Sequence, residues 1–286
     1  MKKVFILICA LIMTIDISTA QRVDASSKAI TINSEPITEV LNMTLSEKEL
    51  DSILLNKGVE YDVVSNMSYF NKYDLYNDLL PKNAEYAGTK TIGYDEKTGD
   101  SYVIDPNSKG QISGSSLLLR ISSVNYYSDD YYLEKIILKV SYDWKVTPFW
   151  KLTDSIGMSW ESSEFRDIST TFIAKNCGYD STVGNAAFCQ TINDAASYSS
   201  SGLFWYTNLN NAYHSHFGYG KIYLYPKTGV NLVQGTSNFY ALYVHKHLHG
   251  SLGINIAGIN LTVDSGSYYD SLGAHDTHSW NISHMH

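Results

Sequence analysis

The fold is decided by Tyr126-Tyr127-Ser128-Asp129-Asp130-Tyr131-Tyr132 and the run after it, Leu133-Glu134-Lys135-Ile136-Ile137-Leu138-Lys139-Val140-Ser141-Tyr142-Asp143-Trp144. An acidic turn lies between paired tyrosines, and Ile136, Leu138, Val140, Tyr142 and Trp144 then take every second position. That period of two predicts a long strand with one face buried. Upstream, Leu117-Leu118-Leu119-Arg120 opens another strand. The cluster from Asp95 to Asp100 reads as a hairpin connection between Thr89–Tyr94 and Ser101–Ile104, and Pro106-Asn107-Ser108-Lys109-Gly110 as a further turn. Short Val, Ile, Thr and Tyr runs separated by such turns predict antiparallel β-structure.

Downstream, Ile168–Ala174, Leu203–Thr207, His216–Tyr225 and Tyr240–His249 read as strands flanked by Gly, Asn or Ser. In the last patterned segment Leu252, Ile254 and Ile256 hold even positions while Ile259, Leu261 and Val263 hold odd ones. The apolar face changes phase at Ala257-Gly258, which requires a tight turn or a bulge. The expected fold is all-β: an antiparallel two-layer β-sandwich over residues 83–286, preceded by a small N-terminal helical segment.

Residues 21–82 form a polar leader and that helical segment. Ser46 and Glu49 make a capping box, Leu50, Ile53 and Leu54 share a face, and Gly58 supplies a stop, so a helix is expected over 47–57. Tyr69, Tyr73, Tyr76 and Leu80 stand at helical spacing and predict a second helix over 63–80, ended by Pro81. Because the β pattern and both later cysteines follow Pro81, the part from residue 83 is expected to fold without residues 21–82.

Residues 1–20 read as a signal peptide: Lys2 and Lys3, an apolar run from Val4 to Met13, then Ser18-Thr19-Ala20, with an alternative cut after Ala25. Asp16 interrupts the run well short of the ~20 apolar residues a membrane span needs, so the mature chain is expected to be extracellular with no transmembrane anchor. The chain has 286 residues, 44% hydrophobic and 17% charged, which suits a buried core and excludes disorder. Losing Lys2, Lys3 and Asp16 with the signal moves the net charge from −8 to −9. With no basic block, the chain is a poor nucleic-acid binder.

Cys177 and Cys189 are the two thiols left after signal removal, and an exported protein meets conditions in which they close. A disulfide across that loop is worth about 3 kcal/mol in the chain-entropy account. All nine histidines lie between His214 and His286, six of them in His-x-His spacing: His214/His216, His245/His247 (with His249 continuing) and His284/His286. On a strand, i and i+2 share a face. If their strands pair, His245 and His247 can therefore meet His214 or His216 around Zn²⁺ or Cu²⁺, with Asp276 as a further donor or outer-shell partner. The competing reading is a solvated strand face and a polar tail.

Val263-Asp264-Ser265-Gly266-Ser267 resembles the Asp-Ser-Gly segment around the nucleophile of chymotrypsin-like serine proteases. Val263 stands where that family has glycine, and the first histidine, His214, lies only about fifty residues upstream, too few for the barrel between base and nucleophile. Glu161 and Glu164 read as a solvated loop rather than a glycosidase pair. Pairs such as Tyr126/Tyr127, Tyr131/Tyr132 and Tyr268/Tyr269 suit a sugar-stacking or cell-surface face. Three functions are therefore weighed. The leading one is a secreted non-enzymatic β-sandwich binding a glycan or protein at a cell surface or extracellular matrix. The others are a Zn- or Cu-dependent hydrolase or metal-binding protein, and a secreted membrane-active toxin inserting amphipathic hairpins such as one containing Ile136–Trp144.

Overall fold

The computed structural model describes residues 45–98, 100–104, 115–149, 151–180, 186–246, 251–256, 259–264 and 269–281. The expected signal peptide and polar leader, together with His247, His249, His284 and His286, lie outside the described residues.

Three helices open the chain. α1 (Glu47–Asn56) starts on the expected capping box, with the Ser46 hydroxyl accepting from the Glu49 amide and the Glu49 carboxylate accepting from the Ser46 amide. The single helix expected over 63–80 is two, α2 (Tyr61–Asn66) and α3 (Tyr69–Asp78). Ser68 divides them because its extended backbone and side chain cap α3, accepting from the Asn71 amide. The buried apolar positions of this segment are Val63, Val64, Met67, Phe70, Leu75 and Leu79, whereas the tyrosines at helical spacing stand half-buried beside one another and Leu80 is exposed.

The strands follow as β1 (Ala84–Asp95), β2 (Asp100–Ile104), β3 (Leu117–Tyr127), β4 (Leu133–Trp144), β5 (Thr153–Trp160), β6 (Phe165–Asp167), β7 (Ile173–Asp180) and β8 (Ala186–Ile192). Then come β9 (Ser197–Ser199), β10 (Gly202–Asn208), β11 (Ser215–Pro226), β12 (Gln234–Lys246), β13 (Ser251–Ile256), β14 (Ile259–Asp264) and β15 (Tyr269–Asn281). The first sheet runs β2-β1-β3-β4-β11-β7-β8, with β6 also on β11. The second runs β15-β12-β5-β10-β9, and β13-β14 form a two-stranded ladder of their own. All the pairings are antiparallel, and an N-terminal helical segment followed by two facing sheets is the architecture the sequence predicts.

The sandwich core lies between the sheets. Leu117, Leu119 and Ile121 of β3 and Ile136, Leu138, Val140, Tyr142 and Trp144 of β4 meet Ile156, Met158 and Trp160 of β5, Trp205 of β10, and Phe239, Ala241 and Tyr243 of β12. The alternation in β4 therefore faces the core as expected, but its other face is buried as well. Val124, Tyr126 and Ile137 on that side pack under Leu50, Leu54, Val63, Val64 and Leu75 of the helices, giving a third layer. The charged residues of this second face survive burial as ion pairs: Arg120 with Asp143, Lys139 with Asp74, and Lys221 with Asp74 at 3.0 Å and Asp78 at 2.6 Å.

One expected strand is corrected: over Ile168–Ala174 the chain makes a 3₁₀ turn at Ser169–Thr171 and reaches β7 only at Ile173. Cys177 and Cys189 sit opposite one another in the β7–β8 ladder and are bonded, as expected.

Candidate functional site: a two-stranded arm and the clamp at its base

β12 and β15 pair from Gln234↔Asn281 to Lys246↔Tyr269, and β13 and β14 from Ser251↔Asp264 to Ile256↔Ile259. The two residue numbers of every pair have the same total in both ladders, because four residues (247–250 and 265–268) separate them on each side. β13–β14 is thus paired in the same register as β12–β15, and the phase change expected at Ala257-Gly258 falls on residues outside the described ones.

The register settles the sidedness of this hairpin. Leu252 pairs with Val263, Ile254 with Leu261 and Ile256 with Ile259, so the six aliphatic residues share one face. Gly253 pairs with Thr262 and Asn255 with Asn260, so the opposite face is small and polar. The change from even to odd apolar positions is what this register requires if the paired aliphatic residues of β13 and β14 are to share a face.

The outer face of the second sheet is less exposed than a solvated sheet would be. In β12, Phe239, Ala241, Tyr243 and His245 point into the core, yet Leu242 and Val244 on the other face are also buried. Ser155 and Ser159 on β5 and Phe204 on β10 are buried on that outer side as well. β14 runs close to β10, which brings the hairpin over this sheet.

At the base of the arm, His245 closes a buried polar network. Its Nδ1 lies 3.0 and 3.1 Å from the two Asp154 oxygens, and its Nε2 lies 3.7 Å from Glu96 Oε1. The Tyr243 hydroxyl donates to Asp154 Oδ2 at 2.6 Å and accepts from Trp144 Nε1 at 3.0 Å. Burial alone would lower the His245 pKa, but the charge and hydrogen bond of Asp154, and then Glu96, outweigh it and raise the group to about 9. The ring is therefore an imidazolium at neutral pH. It holds the last turn of the β12 register to β5 and to the end of β1.

The metal constellation expected from the sequence is not assembled by sheet pairing. His216 is at the start of β11, with His214 just before it, and β11 pairs with β4, β6 and β7 in the first sheet, whereas His245 is on β12 in the second. His214 is exposed and stacks on Tyr179. His216 is fully buried, and burial, with Lys151 and His214 nearby, pushes it down to about 4. His275 is exposed and bonds Asn238, while His278 bridges Ser123 and Asn125 of β3. Among the described residues no group of three or more His, Cys, Asp or Glu side chains is placed to hold a metal ion.

Two sequence readings resolve at named bonds. Glu161 ties the end of β5 to β12 through Ser237 and Asn238, a structural role. The Ile136–Trp144 strand, weighed as an inserting segment, is the buried centre of the first sheet.

No family model and no curated protein matches this chain. Among solved structures it is similar to Clostridium perfringens delta-toxin, at 7% identity over 68% of this chain and 94% of that one, with a TM-score of 0.32. It is also similar to a structure described as a pore forming protein, at 8% identity over 66% of this chain and 90% of that one, again at 0.32. Likenesses this weak do not bear on function, which is argued below from the chain's own residues.

Proposed function

We propose that this protein is exported and acts on membranes, inserting the β13–β14 hairpin so that several copies close a β-barrel. The observation that carries the reading is the in-register arm with six aliphatic residues on one face and small polar residues on the other. A membrane strand needs about 9–11 residues, and the sequence spans 246–256 and 259–269 supply that length on each side of the hairpin. Alternation apolar-out and polar-in is what a barrel wall requires. One hairpin would leave unpaired edges in lipid, so closure by several copies follows. No described helix is long and apolar enough to cross a membrane, which leaves strands as the crossing element in this reading.

The second sheet supplies a resting place. β14 lies close to β10 of the second sheet, whose outer face includes the buried Leu242 and Val244. A two-stranded hairpin is marginal alone in water, so folding back over β10 shelters it until a membrane is met.

Single cysteines carrying a solvent-sensitive fluorophore, placed in turn from 252 to 256 and 259 to 263, test this on phosphatidylcholine–phosphatidylserine vesicles loaded with a quenched dye. Leakage is expected, with blue-shifted emission at 252, 254, 256, 259, 261 and 263 and aqueous emission between them. Leakage without that alternation, or an absence of leakage, overturns the reading.

A further inference from the structure

A polar cleft of about 640 Å³ lies at the Gln234–Asn281 end of the β12–β15 ladder, between β1 and β3 of the first sheet and β12 and β15 of the second. Its mouth is lined by Glu85, Tyr86, Asn231, Gln234, Thr236 and Ser279. Asn231, Gln234, Thr236 and Ser279 are exposed, and together with Glu85 and the half-buried ring of Tyr86 they offer amides, hydroxyls and one carboxylate. Among the described residues its lining is neutral polar and aromatic apart from the Glu85 carboxylate, which favours an uncharged ligand over an anion.

The back wall is held rigidly. The Trp280 indole lies flat over Gly235, where a Cβ would come within 2.2 Å of the ring, and its Nε1 donates to the Asn231 carbonyl at 2.9 Å. Asn125 donates to the Tyr127 hydroxyl at 3.1 Å and is held on its other side by His278. Tyr86 is fixed by its hydroxyl, which donates to Glu60 at 2.5 Å. Within this wall, the Tyr127 hydroxyl hydrogen-bonds the Glu85 side chain, and the second carboxylate oxygen, Oε2, is buried without a further partner among the described residues. A carboxylate oxygen left so is costly unless a donor reaches it.

We infer that this cleft binds a neutral carbohydrate, one hexose or N-acetylhexosamine unit of a cell-surface glycan. A sugar presents many hydroxyls that donate and accept at once, which matches a rim of amides and hydroxyls. One hydroxyl donates to Glu85 Oε2, and an apolar C–H face lies against Tyr86. The site is on a different part of the molecule from the hairpin, so it adds recognition to the proposed membrane action and does not depend on it.

The test uses the exported chain in solution without lipid, so its outcome is independent of pore formation. Methyl glycosides of glucose, galactose, mannose, N-acetylglucosamine and N-acetylgalactosamine, with sialic acid and Ca²⁺ as controls, are examined by saturation-transfer NMR and titrated through tryptophan fluorescence. At least one neutral glycoside is expected to bind, with Glu85→Gln weakening it by about tenfold or more, as loss of a hydrogen bond to a charged group does. Gln234→Ala, a surface change that leaves the melting curve unaltered, is expected to weaken it as well. Binding by none of the neutral glycosides, binding only of sialic acid or Ca²⁺, or equal binding by both variants overturns the inference.

Discussion

The three buried histidines are set in opposite electrostatic senses, and their signs can be read as pH dependence. His245 is raised to about 9 in the fold, against about 6.5 when unfolded. Its contribution is therefore complete below pH 6.5 and is lost as pH rises through 9. Burial holds His278 down to about 3, and burial with Lys151 and His214 holds His216 down to about 4. Those two contribute above about pH 6.5, and their contribution is lost as pH falls toward the folded values. Calorimetric melting should peak near pH 6.5 and decline on both sides. His245→Gln should lower the peak, because Asp154 loses its cationic partner, and flatten the decline between pH 6.5 and 9 while leaving the acid side intact. An alkaline decline of unchanged slope in that variant would assign it to another group.

At the scale of elements, the hairpin carries the sharpest expectation. Leu252→Lys places a charge on the aliphatic face near the middle of the proposed membrane strand, where it costs about 2–4 kcal/mol per copy, whereas Thr262→Lys adds the same charge to the polar face. Vesicle leakage should be lost in the first variant and kept in the second, with the soluble melting curve as control; equal leakage would remove the hairpin from the mechanism. The hairpin was legible in the sequence because a phase slip at Ala257-Gly258 is a local pattern, and the capping box of α1 and the core face of β4 were legible for the same reason. What was not legible depends on distant partners. β5, Thr-Asp-Ser-Ile-Gly-Met-Ser-Trp, is not among the strands expected from the sequence, because the small residues of a covered central strand resemble a turn. The second buried face of β4 carries Lys139 and Asp143, which look solvent-facing until Asp74 and Arg120 arrive from elsewhere in the chain. The histidine pairs obey strand alternation, but sheet order assigns β11 and β12 to different layers, and no local spacing reveals that.

Across the whole molecule the helices and the first sheet share one core, which bears on the fragment 83–286 that the sequence suggests as a self-sufficient domain. Removing α1–α3 uncovers Val124, Tyr126 and Ile137 and strips Lys139 and Lys221 of both carboxylates. The ion cluster is finely balanced even when intact. Burial and the neighbouring Asp74 charge raise Asp78 to about 6, while Lys221 and Lys139 pull it down, so the two lysines are what allow two carboxylates to stand side by side there. Taking one member from a buried pair costs about 3–5 kcal/mol, a large part of the 5–15 kcal/mol that stabilises a typical protein. The fragment is therefore expected to melt at a markedly lower temperature than the chain that keeps α1–α3 and to bind a hydrophobic dye before melting. Lys139→Met in the full chain should reproduce part of that loss, because it leaves Asp74 buried beside Asp78 with one lysine between them. A fragment with an unchanged, cooperative melt would show that the sandwich core alone sets the stability, and that the helices are a removable cover over β3 and β4.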